Sequence, residues 1–469
     1  MSMGCFNLKT DENQILELIN AEGIETVRVV FVDQHGILRG KTLVATALKS
    51  AFENGVKVPS TLLLKDTSHR TAFPIWSGIG EVAGMRFSGA NDVILRPNPN
   101  RFYQIPWSPQ SALILCSVED RNGNEISISS DAILSTATKA LKEAGYVAIF
   151  GLEVEFQIFR MIDECRSHEK AVMPPTPVKT ENLTHGHQYL TEAKYSEVEE
   201  VLDELRRMSE KLGLEPQSVE IEMGPSQFEF TFAAADPQTQ AERFVLFRTM
   251  VKEVCYRRGL HASFMPKPAL PNAAANGWHL HQSLLTTSGN PAFVPNEEHM
   301  LSNEAKGWIA GLLENAEVCC LLTNPTVNSY KRFTPYQLAP NQIQWGRDNR
   351  GAMLRVLMHP NDPASRIENR VADTSANPFY AIAAQIVSGL DGITRGLKPP
   401  SATDTPYEGA QALPRNLYSA IEAFERSKLF PKYFCDDFQS YMATLKRFEW
   451  DRYLMSISDW EQQEYFGLF

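Results

Sequence analysis

The sequence predicts an α+β fold in two domains, on three observations. Polar–apolar alternation recurs at Gly151–Phe159, at Ser218–Glu222 and again at Gln227–Phe232 after a break at Met223–Ser226, at Trp278–Ser283 and at Arg366–Arg370, which reads as strands with one apolar and one polar face. Segments of helical periodicity, with their own cap and stop residues, lie between and after these stretches. A turn sequence, Arg121-Asn122-Gly123-Asn124, separates an N-terminal domain (1–122) from a larger domain (123–469).

In chain order, Asp11 to Ala21 reads as a short helix, with Asp11 as cap and Ile15, Leu16, Leu18 and Ile19 on one side. Thr26 to Val32 and Ile37 to Val44 read as a hairpin around Asp33-Gln34-His35-Gly36. Gly36-Ile37-Leu38-Arg39-Gly40-Lys41-Thr42 imitates a phosphate loop but is one residue short between its glycines. Gly78-Ile79-Gly80 with Gly84 imitates a dinucleotide fingerprint without its spacing. Asn91 to Leu95 and Ser111 to Glu119 are predicted strands. Asp131 to Gly145 is a predicted helix, capped by Ser130 or Asp131 and stopped by Gly145. Glu164 to Gln188 reads as a long loop, and Ser196 to Leu212 as a charged amphipathic helix. Pro399 to Gly409 is a second loop, and Leu417 to Phe469 is helical in pattern.

Bulk properties narrow the function. Hydrophobic residues are 43% and charged residues 22% of 469, as in ordinary globular proteins. A net charge of −11 argues against a nucleic-acid backbone as the main partner. The seven cysteines form no CxxC pair, which suits free thiols in a reducing compartment. Met1 to Thr10 lacks the basic-then-apolar form of a signal peptide. Trp308 to Leu322 is interrupted by Glu314, Asn315 and Glu317 and reads as an amphipathic helix rather than a membrane span. A cytoplasmic protein is expected, with neither membrane nor nucleic acid as partner.

The polar faces carry matched chemistry. Glu153 and Glu155 share a face opposite Leu152, Val154, Phe156 and Ile158. Glu220 and Glu222, then Glu229 and Thr231, lie opposite an apolar series that includes Phe228, Phe230 and Phe232. His279, His281 and Ser283 share a face, as do Arg366, Glu368 and Arg370; Arg332, Arg350 and Arg355 lie between these two groups. Each row alone could be a solvated sheet face. Lining one cavity, so many carboxylates would need neutralising, and divalent cations would do it. Carboxylate oxygens with an imidazole suit Mg²⁺ or Mn²⁺ better than zinc. Arginines beside such cations fit phosphoryl transfer from a nucleotide, with an acidic co-substrate held by Arg.

These residues sit in motifs that resemble the glutamine synthetase family over nearly the whole chain. The motifs are Gly-Leu-Glu153-Val-Glu155-Phe, Glu222-Met-Gly-Pro-Ser-Gln-Phe-Glu229, Phe264-Met-Pro-Lys267-Pro and Gly277-Trp-His279-Leu-His281-Gln-Ser283. Asn324 to Phe333, Asn349-Arg350 with Arg355, and Arg366-Ile-Glu368-Asn-Arg370 complete the series. The resemblance implies a small N-terminal β-grasp domain joined to a large catalytic domain, whose antiparallel sheet lines a metal-containing funnel. It also implies a homo-oligomer, a dodecamer of stacked rings with active sites shared between subunits. By position, Glu155, Glu222 and Glu229 correspond to the ligands of one metal, and Glu153, His279 and Glu368 to those of a second that holds the ATP phosphates. Arg332 and Arg370 correspond to clamps on L-glutamate; Arg350, Arg355 and Arg366, with His281 and Ser283 nearby, correspond to phosphate and nucleotide contacts. The implied reaction phosphorylates the γ-carboxylate of glutamate with ATP and then joins it to an amine.

The departures from the family pattern bear on the amine. The flap glutamate that helps the ammonium-using enzymes attract their small cation is replaced by Leu338, which removes a charge and adds an apolar wall. An Asn-Gly pair reads Ala274-Ala275, and Gly-Pro-Gly-Gln reads Gly-Pro-Ser-Gln. Tyr189 and Asp66 align loosely with the tyrosine and the proton-accepting aspartate of the amine site. The segment that carries an adenylylated tyrosine in some bacterial relatives is not recognisable. The resemblance therefore points to the branch making γ-glutamylpolyamine, γ-glutamylisopropylamide and γ-glutamylanilide, with Leu338, Phe333 and Trp278 favouring an apolar or aromatic amine. Glutamine synthetase proper and an inactive structural family member are the alternatives.

Overall fold

The computed structural model describes residues 11–76, 81–82, 85–298, 300–334 and 338–469. Met1 to Thr10 and the glycines 78, 80 and 84 lie outside the described residues. The N-terminal part forms a five-stranded sheet in the order Leu38–Val44, Thr26–Val32, Ser111–Glu119, Asp92–Gln104, Val56–Pro59. Thr26–Val32 pairs parallel to Ser111–Glu119, and the other pairs are antiparallel. Helix Glu12–Ala21 begins at a capping box between Asp11 and Gln14 and buries Ile15 and Ile19. At the hairpin turn the Asp33 carboxylate accepts from the amides of His35 (2.8 Å) and Ile37 (2.9 Å). The phosphate-loop lookalike is therefore a hairpin arm. The predicted strand at residues 91–95 runs on to Gln104, with a register shift between Pro97 and Phe102.

The C-terminal part is built on a nine-stranded sheet whose longest member is the central strand, Tyr146–Asp163. Gln227–Ala235 pairs with it on one side and Trp278–Thr286 on the other; Leu260–Ser263 and Lys179–Asn182 pair with its C-terminal half. Pro216–Ile221 extends the sheet at one end, and Arg366–Asn369, Leu354–Leu357 and Trp345–Arg347 at the other. Every pairing is antiparallel except that of the last two strands.

Period-2 alternation decides the faces. Leu152, Val154, Phe156 and Ile158 are buried with Phe228, Phe230 and Phe232. Helix Pro237–Arg257 covers this side; Phe247 lies edge-on to Phe156 at 5.5 Å, and Phe264 stacks on Phe156 at 5.2 Å. Each such ring contributes about 1.5–3 kcal/mol by burial. The same helix ties the N-terminal sheet down, since Glu253 accepts from Arg28 (2.5 Å) and the Trp107 indole (2.8 Å).

Three helix expectations change in detail. The helix over Ser130–Glu143 is capped by the Ser129 hydroxyl, one residue earlier than expected. The charged helix divides into Glu192–Ser196 and Glu199–Lys211. The expected amphipathic helix at 308–322 is two helices, Asn303–Glu314 and Ala316–Thr323, broken at Asn315 and largely buried. Gly307 and Gly311 let the first approach helix Pro378–Thr394; a Cβ at Gly311 would lie 2.1 Å from the Ser388 carbonyl oxygen. The apolarity of this stretch serves a helix–helix core. Among the described residues no helix is long and apolar enough to cross a membrane. The loop at 164–188 holds one short strand, Lys179–Asn182. The C-terminal segment is helical at Leu417–Arg426, Leu429–Tyr433, Asp436–Leu454 and Asp459–Tyr465.

Candidate active site

The polar face of the central strand is a floor made by cross-strand register. Glu155 lies opposite Glu229, which in turn lies opposite Glu220 on Pro216–Ile221. On the other side Glu153 lies opposite His279, His281 opposite Glu368, and Glu368 opposite Arg355. This face does not meet water as an ordinary exposed sheet face would: Glu368 is 0%, His279 4% and Glu229 6% exposed.

Two ligand clusters follow. Glu155, Glu222 and Glu229 each offer an oxygen within 4.8 Å of the others. Burial pushes the Glu222 carboxyl up to about 8, with Glu155 the next cause. Burial pushes Glu229 well above the usual carboxylate range, again with Glu155 next. Three carboxylates in one partly desolvated space repel one another, and a divalent cation of oxygen preference fits that donor set. The second cluster is centred on Glu153, which contacts His279 Nδ1 at 2.9 Å and His281 Nε2 at 2.7 Å. Burial opposes its charge, but these two histidines hold its carboxyl well below the ordinary range. Glu153 groups with Glu229 and His279, and also with His281 and Glu368. His279 Nδ1 lies 3.7 Å from Glu368. His281 thus reaches the same carboxylate as the expected ligand His279.

Arginines form the rim. Arg355 donates to Glu368 at 3.0 Å and to Asp348 at 2.6 and 2.9 Å. Arg370 donates to the other oxygen of Glu368, and its buried Nε has no hydrogen-bond partner. Arg332 is buried, with its terminal nitrogens on the carbonyls of Val371 (2.6 Å) and Arg370 (3.0 Å). Arg366 Nε donates to His281 Nδ1 at 3.1 Å, and Ser283 donates to the Ser365 carbonyl at 3.0 Å. Arg350 is exposed, in the turn before Leu354–Leu357.

Tyr189 is half-exposed beside the triple-carboxylate cluster. Burial raises its phenol, followed by Glu222, Glu220 and Glu229, and Arg350 opposes them. Its loop is tied to the Glu222 loop by amides of His187 to the Met223 carbonyl (2.8 Å) and Leu190 to the Ile221 carbonyl (3.1 Å). Ser226 stands in the left-handed region at φ +58°. Its hydroxyl accepts from the amides of Leu183 (2.7 Å) and Thr184 (3.3 Å), and its own amide donates to the Thr184 hydroxyl (3.0 Å). Leu338, at φ +54°, is half-exposed and follows residues 335–337, which lie outside the described residues.

Asp66 is placed differently from the others. It is buried, accepting from the amides of Ser68 (3.0 Å) and Arg70 (2.7 Å) and from Arg452 (3.0 Å). None of these bonds reaches the carboxylate floor.

The sequence reading missed the support beneath Glu155. Gln227 Nε2 donates to Glu155 (3.3 Å), the Ala275 carbonyl (2.8 Å) and Asn276 (3.1 Å), and Asn276 donates to Gln157 (3.1 Å). Gly277 donates its amide to Glu155 at 2.6 Å. A Cβ there would lie 2.7 Å from an Arg332 nitrogen and 2.9 Å from His279 Nε2, so the close approach requires glycine. The signal was the unbroken alternation through Gln157, which places a neutral amide on the charged face.

Comparison with known proteins agrees with this geometry. The family described as glutamine synthetase, catalytic domain, matches residues 129–465. The chain is 35% identical to a γ-glutamylanilide synthase of Acinetobacter sp, covering 98% of each sequence. It is 29% identical to a glutamine synthetase of Clostridium saccharobutylicum, covering 97% of this chain and 99% of that one. A solved GmaS/ADP complex superposes with a TM-score of 0.80 at 27% identity, covering 98% of this chain and 100% of that one. With its carboxylate–histidine floor, its arginine rim and matches along nearly the whole sequence, the chain belongs to the glutamine synthetase family of ATP-dependent ligases.

Proposed function

We propose that the protein joins the γ-carboxylate of L-glutamate to an organic amine with an apolar or aromatic body, giving a γ-glutamyl amide, ADP and phosphate. The observation that carries the choice of amine is Leu338 at the flap position, where a cation-attracting carboxylate would serve ammonium. The 35% identity to a γ-glutamylanilide synthase supports the same choice.

Glu155, Glu222 and Glu229 would hold one Mg²⁺ or Mn²⁺; by the resemblance Glu153, His279 and Glu368 would hold another, with His281, which groups with Glu153 and Glu368, within reach of it. When bound, these cations neutralise the carboxylates and the phosphoryl oxygens on which charge develops. Arg332 and Arg370 orient glutamate. Arg350, Arg355 and Arg366, with Ser283, face the nucleotide phosphates. A γ-carboxylate oxygen of glutamate attacks the γ-phosphorus, and the bond to ADP breaks. The amine nitrogen then attacks the acyl carbon of γ-glutamyl phosphate, phosphate leaves, and the amine proton passes to a base. Asp66 is our candidate for that base, supplied to the floor of a neighbouring subunit across the domain boundary at 122/123. Stacked rings would bring Asp66 of one chain to Tyr189 and Leu338 of the next.

The test is phosphate release with ATP, Mg²⁺ and glutamate against ammonium, methylamine, isopropylamine, aniline, putrescine and ethanolamine. Turnover with isopropylamine or aniline well above that with ammonium supports the proposal. Turnover with ammonium alone assigns glutamine synthetase activity instead, and turnover with none favours an inactive family member.

A further inference from the structure

A cavity of about 670 Å³ lies between the N-terminal sheet and helix Pro237–Arg257, and no residue of the carboxylate floor lines it. Its walls are apolar over Val30, Leu113, Phe264 and Leu322. Its charged lining is unbalanced: Arg28, Arg248, Lys252 and Lys446 face a single carboxylate, Glu253. Two of the cations have partners elsewhere, Arg28 on Glu253 (2.5 Å) and Lys446 on Glu449 (3.1 Å). Among the described residues the other two make no ion pair. Lys252 makes a long hydrogen bond, 3.4 Å to the Ala262 carbonyl. Arg248 donates to the carbonyls of Thr374 and Gly36 and lies over the Phe244 ring, 5.1 Å from its centroid. Burial lowers both, Arg248 to about 10 with Asp33 opposing, and Arg248 adds to the lowering of Lys252. Gln34, buried on the same wall, has an amide oxygen with no hydrogen-bond partner.

Four cations against one carboxylate leave this lining with an excess of positive charge, which an anionic occupant would offset. We propose that this cavity is a second ligand site, for a small amphipathic carboxylate. Its carboxylate sits between Lys252 and Arg248, and its apolar body lies against Phe264, Leu113 and Val30. The dimensions are those of a small-molecule site, apolar with a few convergent polar groups. On the proposed function, the site lies next to the candidate base. Gln34 and His35 hold the Lys65 carbonyl, at 2.6 and 2.9 Å, next to Asp66. Phe264 opens the segment that leads to Lys267, whose amide donates to Asn328.

The probe is octanoate, titrated calorimetrically into the full-length protein saturated with ADP, Mg²⁺ and glutamate so that the active site is filled. Octan-1-ol is the uncharged control. One octanoate per chain, at least tenfold tighter than octan-1-ol, is expected. Lys252→Met should weaken octanoate at least tenfold and leave amide synthesis unchanged, and Lys252→Arg should restore binding. A crystal structure of the complex should place the carboxylate at Lys252. No saturable binding to the native protein, equal binding of the alcohol, or unchanged binding by Lys252→Met would overturn the proposal.

Discussion

Glu229 lies directly across the sheet from Glu155, each on its own strand, in antiparallel register that runs without a break from Gln227 to Phe232. Like charges so placed destabilise a sheet, and Glu222 adds a third carboxylate to the same space. Such repulsion persists in a fold when something binds to it. Glu222→Gln should therefore lower amide synthesis by roughly 10²–10³-fold, the scale of losing one electrostatic stabiliser. The same variant should melt at a higher temperature than the native protein in EDTA, and gain less from added Mg²⁺. Calorimetric scans with and without Mg²⁺ measure both effects; a variant less stable in EDTA would count against a cation site.

On the proposed function, Leu338→Glu places a carboxylate beside the amine. The ratio of kcat/KM for ammonium to that for the preferred organic amine should rise about tenfold or more, which corresponds to about 1.4 kcal/mol of differential binding. An unchanged amine profile would remove Leu338 from the selectivity argument.

Gly277→Ala pushes a methyl group against Arg332 and His279. Displacing either by about an ångström should cost roughly 10²-fold in kcat. Circular dichroism should show the fold retained, since the substitution disturbs the floor and leaves the phenylalanine core intact.

Ser226 occupies a left-handed backbone position and anchors the loop that carries Tyr189 through Leu183 and Thr184. Ser226→Ala keeps the strain and strands those amides, at a cost of about 1–3 kcal/mol. Ser226→Gly relieves the strain and should be the milder change. In both, KM for the amine should rise more than KM for ATP, measured by varying each substrate in turn.

His35 is buried in the hairpin turn with its ring on the Lys65 carbonyl. Burial first, then Lys446, holds its imidazole below the ordinary 6.5; Asp33 and Glu449 pull the other way. As the pH falls below 6.5 the unfolded chain takes up this proton before the folded one does. Stability from His35 is thus complete above pH 6.5 and is lost as pH falls toward the folded value, by up to about 1.4 kcal/mol per pH unit. Urea denaturation between pH 5 and 7 should show a shallower slope for His35→Gln than for the native protein.

Much of this was legible in the residues. Alternation through Leu152, Val154, Phe156 and Ile158 determined which side of the central strand is core, because successive side chains must point to opposite faces. The same rule placed Glu153 and Glu155 together, and His279 with His281, before any partner was known. Caps and stops such as Asp11 and Gly145 set element ends to within a residue or two, because they act over one helical turn. The residues of 308–322 read as one amphipathic helix because the break at Asn315 and the close approach of helix Pro378–Thr394 are matters of packing.

Only the tertiary structure decided which polar faces meet. That Glu153 faces His279, over a hundred positions along the chain, is a fact of strand register, and register is set by the whole sheet. The same holds for His281 sharing Glu153, for the Gln157–Asn276–Gln227 amides beneath Glu155, and for Asp66 pairing with Arg452 near the other end of the chain. Local sequence specifies a face or a turn through short-range sterics, whereas contacts between distant segments exist only once the chain has closed its loops around a common core.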